Sequence, residues 1–182
     1  MKVLRPASLR TKKLVSKTTG VCLAGKNQVL YLKAGRCRIQ IIKKSNGAVL
    51  KTLTTRVTNR TVSQIGKGNQ AAMVKKVMFN WKSKNPKGMT PRKWRNLKTS
   101  VARTGLIFVV GHTRQGVGPS TKPKFSMARA NVVKKKVTKR GLTIEIFGMG
   151  GKYPIARGTA KRQQMKNERV MIYMIATRRA ST

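Results

Sequence analysis

Residues 167–177 read N-E-R-V-M-I-Y-M-I-A-T, and residues 170–176 are apolar or aromatic throughout, with no Gly or Pro and with charge on both flanks. A short apolar run bounded in this way fits a strand buried on both faces. Such a strand needs neighbours. The nearest match in character is residues 105–111, G-L-I-F-V-V-G, far upstream. The core is therefore expected to be built from strands distant in sequence.

Working outward, period-2 alternation predicts strands at 21–23, 28–33 and 36–44, with Ser45-Asn46-Gly47 as a hairpin turn and a return strand over 48–55, extending toward Val57 and Val62. A further strand is expected to begin near Met73 and run to Trp81. Residues 82–98, K-S-K-N-P-K-G-M-T-P-R-K-W-R-N-L-K, are irregular up to Pro91. There Thr90 as N-cap and Pro91 as first helical residue open a short helix to about Thr99. Residues 112–124 read as a loop, with His112 a polar loop residue. Alternation over 125–139 predicts another strand, as does T-I-E-I within 142–147, and 148–166 reads as a long connection. The expectation is all-β: about eight strands in a sandwich, with little helix.

Charge bounds the function more tightly. The 182 residues contain 43 Lys and Arg but only two acids, Glu145 and Glu168, for a formal net charge of +41. Self-repulsion of that size calls for an external polyanion, nucleic acid before a membrane surface or an acidic protein. The scarcity of carboxylates argues against acid–base enzymes and oxygen-ligated metals, and one His with two separated Cys makes no zinc site. No catalytic residue, metal ligand or cofactor is expected. Cys22 and Cys37 read as reduced thiols on strands. Hydrophobic residues make up 39% of the chain, enough for a thin core, and no apolar run is long enough to span a membrane.

Residues 1–19 form a basic N-terminal arm carrying Lys2, Arg5, Arg10, Lys12, Lys13 and Lys17, ahead of a single β domain over 20–182. Without an apolar core it does not read as a secretory signal. Two other basic segments stand out. One presents Lys82, Lys84, Lys87, Arg92, Lys93, Arg95 and Lys98, with Trp94 placed to stack on bases; the other contains Lys134, Lys135, Lys136, Lys139 and Arg140. Residues 148–152, G-M-G-G-K, fail the phosphate-loop spacing, because Ile146 occupies the first glycine's place and Tyr153-Pro154 follow the Lys; they read as a flexible connection.

Three stretches carry a family resemblance: Ile65-Gly66-Lys67 leading to Val74-Lys75-Lys76-Val77, the strand and loop of 105–119, and residues 167–181. With the basic arm, they resemble the single jelly-roll capsid proteins of small circular single-stranded DNA viruses of the geminivirus and nanovirus kind, or of satellite viruses. The resemblance implies an eight-stranded jelly roll and a homo-oligomeric shell of sixty subunits. It also implies a virion protein that passes through the host nucleus and packages single-stranded nucleic acid, DNA before RNA, by neutralising phosphates. At +41 each, sixty subunits would balance a genome of roughly 2.5 kilobases. The 134–140 cluster would double as a nuclear-import signal. Charge spread through the body as well as the arm keeps open a second reading, an organellar (mitochondrial) ribosomal protein bound to rRNA.

Overall fold

The computed structural model describes residues 11–25, 29–58, 73–102, 106–116, 118–158 and 160–175. The expectations at Lys2, Arg5, Arg10, Val62 and 65–67 lie outside these residues. The chain divides into two compact units, Met1–Gly68 and Asn69–Thr182.

In the first unit β1 (Lys12–Ser16), β4 (Gly35–Lys43) and β5 (Val49–Val57) form an antiparallel sheet in the order β1-β4-β5, and β2 (Cys22–Ala24) pairs with β3 (Val29–Tyr31). The β4–β5 hairpin closes at the expected turn. Gly47 takes φ 72°, and the Asn46 side chain accepts from the Ala48 amide at 3.1 Å. Lys12 and Lys13, read as part of an extended arm, belong instead to β1, held by register to Lys43 and Ile42. The core is thin: Leu14, Ile39 and Val57 around the two cysteines. Cys22 and Cys37 are joined in a disulfide, which corrects the expectation of reduced thiols. They lie fifteen positions apart in sequence, yet their Cα atoms are 5.7 Å apart, a distance set by tertiary pairing and not legible from spacing.

The second unit is mixed α/β. Its sheet has the order β6-β9-β7-β8, from β6 (Met73–Met78), β7 (Leu106–Gly111), β8 (Thr143–Gly148) and β9 (Arg169–Ile175). β9 lies between β6 and β7 and is antiparallel to both, so the two apolar runs are neighbours, as their composition requires. β7 is buried along its whole length. β7 and β8 are parallel, which demands a crossover, and that crossover is a helix. α1 (Pro91–Ala102) opens as expected at Thr90, whose hydroxyl accepts from the Lys93 amide at 3.3 Å.

α2 (Pro123–Val137) overturns the strand expected over 125–139. Its buried positions, Ser126, Arg129, Ala130, Val133 and Val137, follow helical spacing, with Pro123 in the first turn. Small residues blur that stripe, so alternation was the stronger signal in the sequence. Val133 and Val137 join Leu97, Val101, Ile107, Val109, Val170 and Ile172 in one core, which places α1 and α2 on the same face of the sheet. Next comes α3 (Lys161–Asn167), inside the stretch read as connection. With three α-helices among the described residues and a parallel strand pair, the chain is not an eight-stranded all-β jelly roll.

Glycines set how closely α2 approaches the sheet. A Cβ on Gly111 would collide with the Ser126 carbonyl, and one on Gly148 with the Pro123 carbonyl. The first turn of α2 therefore rests on the ends of β7 and β8. Gly150, at φ 56°, would place a Cβ 2.6 Å from the Thr121 oxygen. The 148–152 segment is thus a packed turn and not the flexible connection expected.

Candidate carboxylate-binding site

The C-terminal ends of the parallel strands β7 and β8, the start of β9, the end of β6 and the first turns of α2 meet at one end of the sheet. At its centre Arg129 is fully buried. Nε donates to the Ser83 carbonyl (2.8 Å), Nη2 to the Asn80 carbonyl (3.2 Å), and Nη1 to the His112 carbonyl (3.3 Å) and to the Glu168 carboxylate. Arg129 and Glu168 form a salt bridge with both side chains buried. The guanidinium also lies against the rings of Phe79 (5.2 Å) and Phe125 (4.8 Å). Burial pulls its pKa below the ordinary arginine value, and Glu168 pushes back. One Arg thereby ties the loop after β6, the end of β7 and the start of β9 to α2.

Around this pair the balance is cationic. Arg169 is buried, donating to the carbonyls of Tyr153 (3.2 Å) and Asn167 (3.5 Å), and burial lowers its pKa to about 10. It remains charged at neutral pH. His112, expected as a polar loop residue, is instead 5% exposed, and burial, with Arg169 beside it, lowers its pKa to about 3. It is a neutral imidazole at physiological pH. Half-buried Arg114 places its guanidinium 4.5 Å over the Trp81 ring. Among the described residues, the Arg114 and Arg169 Nε, the His112 Nδ1 and the Glu168 Oε1 are buried without a hydrogen-bond partner.

The frame is held by amides. Asn167 accepts from the Ile155 and Ala156 amides (2.8 and 3.0 Å) and donates to the Ala156 carbonyl (2.8 Å). Gln164 accepts from the Gln115 amide (3.1 Å) and donates to the Gly158 carbonyl. Ser126 accepts from the Gly150 amide at 2.9 Å. Arg129 and Arg169 spend their donors on the frame, which leaves half-exposed Arg114 as the guanidinium suited to holding a carboxylate.

The residues singled out from sequence fall elsewhere. Lys13 and Lys17 are exposed in the first unit, with Lys12 partly covered. Lys82, Lys84 and Lys87 are exposed on the loop after β6; Arg92, Lys93, Arg95 and Lys98 are exposed on α1; Lys135, Lys136, Lys139 and Arg140 are exposed at and beyond the end of α2, and Lys134 is partly buried. Trp94 packs against the core. The four residues at the centre, His112, Arg114, Arg129 and Glu168, were not expected as a site. Two signals pointed to them: an Arg on the buried face of a helix, and an acid retained in a chain that has only two.

No family model matches the chain, and no curated protein does. Solved structures show partial likeness. The peptidoglycan-associated lipoprotein from Burkholderia pseudomallei is 16% identical over 55% of this chain and 88% of its own, at a TM-score of 0.48. The OmpA-like domain of FopA1 from Francisella tularensis is 18% identical over 60% and 75%, at 0.44. The cell wall anchor of the T6SS from Pseudomonas aeruginosa is 18% identical over 64% and 94%, at 0.45. The unit Asn69–Thr182, whose parallel β7–β8 pair is joined through a helix, is not a capsid jelly roll. The capsid resemblance is therefore withdrawn, with the sixty-subunit shell, the single-stranded nucleic-acid partner and the virion and nuclear location. The ribosomal alternative goes with it. Each rested on a β-sandwich that the helical crossover between β7 and β8 rules out, or on charge alone, which names no particular polyanion.

Proposed function

We propose that the unit Asn69–Thr182 is a non-catalytic binding module that holds carboxylate groups of a cell-envelope polymer, with peptidoglycan as that polymer. The observation that carries the reading is Arg114, half exposed with its guanidinium 4.5 Å over the Trp81 ring, at the end of the sheet where Glu168 is already taken by Arg129. A guanidinium supported by an aromatic ring presents a forked donor pair to a planar carboxylate. Peptidoglycan stem peptides supply such carboxylates on an otherwise uncharged glycan. The Cys22–Cys37 disulfide adds support, since such bonds persist in oxidising compartments.

Co-sedimentation with purified sacculi at about 0.3 M salt, where general basicity is screened, tests this. Arg114→Ala should cut retention by roughly tenfold, the scale of one charged hydrogen bond. Amidating the stem carboxylates should do the same, while Lys135→Gln/Lys136→Gln binds as before. Equal retention of native and amidated sacculi overturns the proposal.

A further inference from the structure

A cavity of about 470 Å³ opens where the end of β6 meets the 80–88 loop, the first turn of α1 and α3. Its floor is apolar: Met78, Phe79 and Met165. Four cations stand around it: Lys87, Lys93, Arg162 and Lys166. Local structure fixes their convergence. The bridge between Phe79 and Pro86 folds the loop back on β6, and the Lys87 amide donates to the Met78 carbonyl at 2.8 Å. Gly88, at φ 65°, then turns the chain toward α1, and Lys93 Nζ donates to its carbonyl at 2.9 Å. On α3, Arg162 and Lys166 are four apart and face the same way, a like-charge pair that disfavours the helix unless an anion lies between them and the opposite lysines. Neither of the chain's two acids serves: Glu168 is buried against Arg129, and Glu145 lies on β8, at the far edge of the sheet.

We propose that this cavity binds an amphipathic phosphate, a phosphomonoester head on an aliphatic stem. Three lysines and an arginine around one opening match a compact dianion with several acceptor oxygens better than a single carboxylate. The methionine-lined floor gives an aliphatic stem apolar surface to cover, and methionine adapts to irregular chains. The volume lies in the range of small-molecule sites. The proposal is independent of the carboxylate site.

Isothermal titration calorimetry on the full chain tests it with three probes: dioctanoyl phosphatidate below its micelle concentration, dioctanoyl phosphatidylcholine and inorganic phosphate. Phosphatidate should bind, phosphatidylcholine should not, and inorganic phosphate should bind at least about tenfold more weakly. Lys93→Gln/Lys166→Gln, both exposed, should weaken phosphatidate by about tenfold or more, and Met165→Gln by several-fold. Arg114→Ala and Lys135→Gln/Lys136→Gln should bind it like the native protein. Equal loss in the 135/136 variant would reduce the effect to general basicity and overturn the site. Phosphate binding as tightly as phosphatidate would overturn the amphipathic ligand.

Discussion

Removing Arg129 tests the centre of the second unit. Arg129→Ala leaves Glu168 as a buried carboxylate with no cation, strips the carbonyls of Ser83 and His112 of the guanidinium donor, and leaves that of Asn80 with the Ser83 amide alone. Breaking one side of a buried ion pair costs about 3–5 kcal/mol, most of it the isolated charge, so a loss of about 4 kcal/mol is expected. At a denaturant slope of roughly 2 kcal/mol per molar urea, the midpoint falls by about 2 M. Both tryptophans, Trp81 and Trp94, lie in this unit, so intrinsic fluorescence follows its unfolding. Arg129→Met/Glu168→Leu removes both charges and should recover part of the loss, the Ser83 and His112 carbonyls still lacking the guanidinium. A loss under about 1 kcal/mol for Arg129→Ala is the size of an exposed pair and would refute the keystone reading.

His112 sets an acid limit. Its folded pKa, about 3, lies below the unfolded value of 6.5, so the unfolded chain binds the extra proton. Its contribution is complete above about pH 6.5 and falls as pH drops toward 3, by up to about 1.4 kcal/mol per unit. Urea midpoints from pH 7 to 4 should show this slope, and His112→Gln should flatten it; an unchanged slope sinks the assignment. Gly111→Ala should destabilise the second unit by at least about 2 kcal/mol, because the new methyl meets the Ser126 carbonyl of α2. Thermal melts followed by tryptophan fluorescence would read the loss, and a shift of less than a degree would contradict the close approach. Reducing Cys22–Cys37 should cost the first unit about 3 kcal/mol, the value for a loop of about 15 residues, seen as faster amide exchange in β4 and β5. Unchanged exchange would show that the bridge carries no stability.

Sequence by itself determined what depends on local backbone preference and on burial repeating along one segment. The apolar runs of β7 and β9 could only be interior strands, Asn46-Gly47 could only be a tight turn, and Thr90-Pro91 opened a helix. It also determined that a chain at +41 must meet an anion, though not which one. Tertiary structure decided everything that pairs residues far apart. Whether 125–137 became a strand or a helix turned on the parallel β7–β8 pairing, which requires a crossover. That Cys22 meets Cys37, and that Arg129 meets Glu168 39 positions away, follows from sheet order and register. The candidate sites are of this second kind: the cations conspicuous in the sequence are largely solvated, whereas Arg129 and Arg169 were drawn inward because the folded backbone offered them carbonyls that a linear reading does not place.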